Sequence, residues 1–152
     1  MSEHTEIAHA ARQEWMGLLA RAPGQMLMEL WGAYEAQPAF EWLRSPEVGG
    51  VMVRGRTGAT GAPFNLGEMT VTRCSLVLGD GTVGHGYVQG RSKPKAQTAA
   101  LIDALMQTTA ADDLHARVIG PLRQQMQDAK TSRAAKAAAT KVEFFTMVRG
   151  EG

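Results

Sequence analysis

Apolar side chains recur at helical spacing through the first part of the chain. Between about Ile7 and Ala22, the residues Ala8, Ala11, Trp15, Leu18, Leu19 and Ala22 share one face, while Glu6, Arg12, Gln13 and Arg21 fall mainly to solvent. Pro23-Gly24 stops that helix, and Leu27, Leu30, Trp31 and Tyr34 mark a second one that ends before Pro38. The two read as a helical hairpin. Aromatic residues at this spacing favour core packing over stacking on a nucleobase.

From Phe40 to Gln89 the period changes to two, which predicts an antiparallel meander with strands over Phe40 to Arg44, Val51 to Arg56, Met69 to Leu78 and Thr82 to Gln89. Gly79-Asp80-Gly81 supplies a tight hairpin between the last two, because Asp-Gly tolerates positive φ. Thr57 to Gly67 has no apolar period and reads as a connecting loop, or as a loop ending in a short strand. Its glycines match neither a P-loop nor a dinucleotide fingerprint.

The stretch from Tyr87 to Gln107 reads as a strand end, a basic turn and a helix. Ser92 can cap that helix, Pro94 is tolerated in its first turn, and Leu101, Ile102, Leu105 and Met106 form one apolar stripe. On its back, Ala96, Ala100, Asp103 and Gln107 offer a small, mildly polar face for a second element or another subunit. The unpaired amides of the helix start, with Arg91, Lys93 and Lys95 around them, make this the candidate anion site. Arg73 adds to it: Gly49 to Lys95 holds six cations (Arg54, Arg56, Arg73, Arg91, Lys93, Lys95) against Glu68 and Asp80. Anion binding is therefore expected at Arg91, Lys93 and Arg73.

Beyond a polar linker from Thr108 to Asp113, the residues Leu114, Val118, Leu122 and Met126 recur every fourth position, and Gly120-Pro121 demands a kink or a restart. Leu122 to Thr140 is strongly helical, yet between Met126 and Val142 nothing on its apolar side exceeds alanine, and Lys130, Arg133, Lys136 and Lys141 make it basic. It is either an arm lying across another protein or a solvated surface helix. Val142 to Arg149 is rich in β-formers, so a strand is expected there first and a continued helix second. Its Phe144, Phe145, Met147 and Arg149 are the candidate partner interface. The pattern as a whole predicts an α+β fold: an antiparallel sheet packed with an N-terminal helical hairpin and C-terminal helices, in a single domain over 1–152 with an extended arm at 122–152.

Composition narrows the function. Sixteen basic and fifteen acidic residues among 152 leave a net charge of +1, which speaks against nucleic-acid binding through bulk charge. There is no apolar run of membrane-spanning length and no secretory signal, so a cytoplasmic protein free of the membrane is expected. The lone Cys74 shares a strand face with Leu76 and Leu78, as a buried small hydrophobe would. His85, on one face with Tyr87 and Gln89, has the chemistry of a general acid or base, but no Ser-His-Asp order, paired carboxylates or metal-ligand spacing accompanies it. No catalytic and no metal-binding residue is assigned. A free-standing nucleotide- or phosphonate-processing enzyme using His85 is the alternative reading.

Three blocks carry a resemblance: Gly79-Asp80-Gly81-Thr82 with Gly84, then Tyr87 through Arg91 running into Ala100 to Gln107, and Val142 through Gly150. With Gln13-Glu14-Trp15-Met16 and Gly58 to Gly61, they make the chain resemble PhnG, the small subunit of the bacterial carbon–phosphorus lyase core complex. The match is looser from Ala22 to Val48. Near the central helix start, the neutral Gln97 and Thr98 replace an acidic and a basic residue frequent in that family. The resemblance implies a cytoplasmic subunit assembled with PhnH, PhnI and PhnJ, two copies of each, and helped by an ATPase-like PhnL or PhnK. It implies an assembly that makes α-D-ribose 1-methylphosphonate 5-triphosphate from MgATP and methylphosphonate, displacing adenine. It implies no cofactor on this subunit, MgATP being a substrate of the complex, and it brings no catalytic residue. The resemblance also implies that radical cleavage of the carbon–phosphorus bond, with its iron–sulfur cluster, falls to PhnJ; Cys74 alone cannot hold a cluster.

Overall fold

The structure is a computed structural model and describes residues 2–56 and 63–150; within them, the side chains of residues 2–5, 7, 54–56, 63–66 and 148–150 are left undescribed. Two helices open the chain, α1 (Ser2–Arg21) and α2 (Gly24–Gly32). Three strands follow, β1 (Phe40–Arg56), β2 (Pro63–Leu78) and β3 (Val83–Gln89). Then come α3 (Lys93–Leu105), the short α4 (Ala111–Leu114), a π turn (His115–Ile119) and the long α5 (Gly120–Gly150). The sheet is antiparallel in the order β1-β2-β3, so the chain is α+β as its periodicities predict.

The two strands expected on either side of Pro46 are one. β1 runs through, with register irregularities between Trp42 and Arg44 and between Arg44 and Glu47. A proline lacks the ladder donor, but β1 is an edge strand and the second irregularity takes up Ser45 and Pro46. The stretch expected as a loop from Thr57 to Gly67 is strand from Pro63 onward, paired in register with Arg56 and its predecessors; Thr57 to Ala62 lie outside the described residues. The Asp-Gly hairpin forms as predicted: Asp80 Oδ1 accepts from the Thr82 amide at 2.9 Å and Gly81 takes φ +89°. Past the Val71–Gln89 pair, β1 and β2 continue without the third strand as a two-stranded ribbon.

α3 is the centre of the molecule. It lies on the face of the sheet that carries Cys74, Leu76 and Val88, and both α1 and α2 rest on it. Leu101, Ile102 and Leu105 are buried as expected, but so are Ala96, Ala100 and Asp103 on the back of the helix. The second element that settles on that back therefore belongs to this chain. Close approach requires glycine opposite: a Cβ on Gly84 would collide with the Ala100 carbonyl oxygen and lie 2.7 Å from Ala104 Cβ, and one on Gly86 would collide with the Ala96 carbonyl oxygen. Leu18, Leu19, Leu27, Trp31, Tyr34, Val118 and Leu122 complete the core, with Trp31 and Tyr34 stacked at 5.5 Å between ring centroids.

The expected break at Gly120-Pro121 is resolved by the π turn. Gly120 donates its N–H to His115 O, five residues back, and the helix resumes as α5 without the donor that Pro121 lacks. The segment expected first as a strand, Val142 to Arg149, is instead the last part of α5. Its β-forming residues obey context over propensity. A helix already propagating adds a hydrogen bond per residue, and no described sheet edge lies alongside to pair with the segment.

Candidate functional site

At the start of α3, Ser92 Oγ accepts from the Lys95 amide at 3.1 Å, which is the predicted cap, and Pro94 occupies the first turn. The three cations of the turn then diverge. Lys95 is buried, and its Nζ donates to Ala20 O at 3.3 Å, satisfying one of the free carbonyls at the end of α1. Burial pushes its pKa below the ordinary lysine value. Its job is to join α3 to α1. Arg91 opens onto a groove of about 340 Å³ shared with Val48, Thr70 and the carboxylate-bearing Glu68. Lys93 opens onto another, of about 560 Å³, walled by Met28, Trp31 and Trp42. Arg73 is exposed on β2, in register with Glu47 of β1 on one side and Tyr87 of β3 on the other.

The polar centre of the molecule lies elsewhere, on Asp103. This carboxylate has no exposed side-chain surface and accepts four hydrogen bonds. Arg12 donates from Nε at 3.1 Å and from Nη2 at 2.8 Å, Trp15 from Nε1 at 2.8 Å, and the backbone amide of His85 at 2.9 Å. The hydrogen bond to Asp103 holds the Arg12 guanidinium above its ordinary pKa. One turn on, Gln107 Nε2 donates to Val83 O at 2.9 Å. Asp103 and Gln107 thus occupy a donor and an acceptor on the outer edge of β3, where an unpaired strand invites foreign chains. The pattern along α1 placed Arg12 at solvent; the structure places it in this junction. A carboxylate in phase with Ala96 on an otherwise small, apolar helix face was the available signal.

His85 carries no catalytic constellation with it. Its ring Nδ1 lies 3.0 Å from Ser75 Oγ on the exposed sheet face, while the nearest carboxylate contact is made by its backbone. Among the described residues, no three of His, Cys, Asp and Glu gather as a metal site. Cys74 is buried, its Sγ donating to Ala96 O at 3.3 Å, and burial pushes the thiol up to about 11. At pH 8 the thiolate fraction is then about one in a thousand. We expect Cys74 to resist iodoacetamide in the native protein and to react promptly in urea, as mass spectrometry would read; equal rates in both states would disprove the burial. Because the unfolded chain ionises first, stability falls as pH rises from the ordinary thiol value through 11.

Four of the nine large exposed apolar side chains among the described residues lie close together on α5; the others are Met28 of α2, Leu43, Val48 and Met52 of β1, and Tyr87 of β3. Every described side chain from Lys130 to Met147 is exposed, including Val142 at 64%, Phe144 at 62%, Phe145 at 54% and Met147 at 68%. Phe144 and Phe145 meet edge to face at 6.1 Å, and Lys141 Nζ stands 6.0 Å from the Phe145 ring centroid. Arg149 is in the final turn, and its side chain lies outside the described residues. No described helix is long and apolar enough to cross a membrane.

These residues define an α+β protein whose internal polar groups bind its own elements together and whose two exposed phenylalanines, Phe144 and Phe145, stand near the end of one long helix. The chain belongs to the PhnG family: the family model described as "Phosphonate metabolism protein PhnG" matches residues 10–150. A relative from Rhizobium meliloti (strain 1021), the "Alpha-D-ribose 1-methylphosphonate 5-triphosphate synthase subunit PhnG", is 47% identical over 147 residues, covering 93% of this chain and 91% of that protein.

Proposed function

We propose that this chain is a subunit of a synthase that makes α-D-ribose 1-methylphosphonate 5-triphosphate, as its relative's name says of that protein. In this reading the complex works in the cytoplasm, takes MgATP and methylphosphonate as substrates and releases adenine. The chain itself holds no cofactor and organises the assembly, with PhnI, PhnJ and PhnH as neighbours and an ATPase-like PhnL or PhnK associating. The observation that carries the organising role is the aromatic end of α5, which no described residue of the chain's own body covers. Phe144, Phe145 and Met147, with Arg149, are the anchors of the partner interface. Buried aromatic anchors supply most of the energy in such contacts. The β1–β2 ribbon supports the same reading, since a two-stranded hairpin is marginal in water by itself.

Truncation after Thr140 abolishes copurification with coexpressed PhnI in this reading, while the body retains its thermal transition. Undiminished assembly would remove the docking role. Arg91, Lys93 and Arg73 remain exposed cations for an anion presented at the assembled surface, and Arg91→Glu should then impair growth on methylphosphonate; normal growth leaves Gly90-Arg91 as a turn. The Ser75–His85 contact favours one second reading, an enzyme in its own right. It requires the purified chain to turn over MgATP with methylphosphonate and His85→Ala to slow that reaction.

A further inference from the structure

α5 leaves the body beside the end of α1, and the crotch between the two helices is a cavity of about 400 Å³. Leu18 and Met126 line it together with four cations, Arg21 from α1 and Arg123, Lys130 and Arg133 from α5. Arg123 Nη2 is paired with Glu14 Oε1 at 2.9 Å; Arg21, Lys130 and Arg133 make no ion pair among the described residues. Four positive charges against one negative leave an excess of three around one cavity, in a chain whose whole net charge is +1. The gathering is built into the helix spacing. Arg123 and Lys130 lie two turns apart on one line of α5, and Met126 and Arg133 do so on the adjacent line.

We propose that this crotch binds a polyphosphate chain of about three phosphates. Its cations stand on both walls of a concave site, and its volume is within the range of small-ligand pockets, about 300–1,000 Å³. A concave site suits a compact anion, whereas a flat basic stripe would suit an acidic protein surface. Arginine forks match phosphate oxygens in geometry. A single orthophosphate, with a charge of about −2 or less, leaves part of the excess unmatched, and a triphosphate does not. Two sources share this chemistry: a free inorganic chain, and the 5-triphosphate of a nucleotide or ribosyl ester. Assigning the second rests on the proposed function; the site itself does not.

The test is calorimetric titration of the full chain in about 0.1 M salt with sodium tripolyphosphate, orthophosphate, MgATP, adenosine and a poly-glutamate peptide. Tripolyphosphate should bind at least about tenfold more tightly than orthophosphate, and Lys130→Glu with Arg133→Glu should weaken it by at least about tenfold, as expected for lost charge-assisted bonds. Lys141→Glu, farther along the same basic helix, should leave binding within about twofold, since exposed charges are screened over about 10 Å. MgATP matching tripolyphosphate, with adenosine failing to compete, supports the site and assigns the 5-triphosphate; tripolyphosphate binding alone supports it and assigns a free chain. Failure of tripolyphosphate to bind, an equal loss in Lys141→Glu, or binding of poly-glutamate in its place overturns the proposal. None of these results bears on copurification with PhnI, so the two readings fail separately.

Discussion

Asp103→Ala lowers the free energy of unfolding by about 3 kcal/mol, the loss expected when a wholly buried charged acceptor is taken from three partly buried donor groups. The side chain it deletes ties two elements, α1 and β3, to α3. Arg12 and Trp15 of α1 and the His85 amide of β3 all donate to it from their own places in the fold. In its absence the guanidinium, the indole N–H and an edge-strand amide lose their common acceptor, and water reaches a wholly buried position poorly. A drop of this size is a large fraction of the roughly 5–15 kcal/mol that holds a domain together. Urea denaturation followed by tryptophan fluorescence reads it directly, since Trp15 reports on the same junction. Asp103→Asn keeps one acceptor oxygen but no charge and should fall between the two. An unchanged midpoint for the alanine variant would mean that apolar packing alone fixes α1 on α3.

Gly86→Ala and Gly84→Ala each cost about 3 kcal/mol, the upper part of the range for overpacking. A methyl group is a small addition, but its first obstacle at both positions is a backbone carbonyl of α3, Ala96 O or Ala100 O, which cannot rotate aside. At Gly86 it also comes within 3.0 Å of Cys74 Sγ. α3 must lift from the sheet, so the damage spreads to Leu101, Ile102 and Leu105 on its other sides. The double variant should fail to give a cooperative thermal transition in calorimetry. Retention of the parent transition would show that the Gly84-Gly86 surface and Ala96, Ala100 and Ala104 do not meet as closely as they do here.

What could be read from the residues in order was whatever depends on near neighbours. The Asp80-Gly81 turn, the Ser92 cap and the burial of Cys74 each involve contacts or alternation within a few positions, and each is present. The break expected between Arg44 and Val51 misled because whether a strand can run through Pro46 depends on its being an edge strand, which only the assembled sheet decides. Val142 to Met147 misled for the same reason: β-formers need a strand to pair with. Arg12 and Asp103 are 91 positions apart, and the crotch cations come from α1 and α5, so neither group has a local signature. Lys95 looked like its neighbours Arg91 and Lys93 until α1 was placed over it. The helical spacing along α5 did foretell the basic character of the arm, but not that Arg21 would stand opposite.

The π turn sets the azimuth of everything beyond it. One residue more than an α-turn holds between His115 and Gly120, so the whole of α5 is rotated by about 100° relative to an uninterrupted helix rooted in the same core. Leu114, Val118 and Leu122 stay anchored inside, while the lines through Arg123, Lys130 and Phe144 are aimed by that single insertion. A five-residue segment near the core therefore acts as a phase wheel: it selects which compass bearing the arm offers to α1 at its root and to a neighbour at its tip.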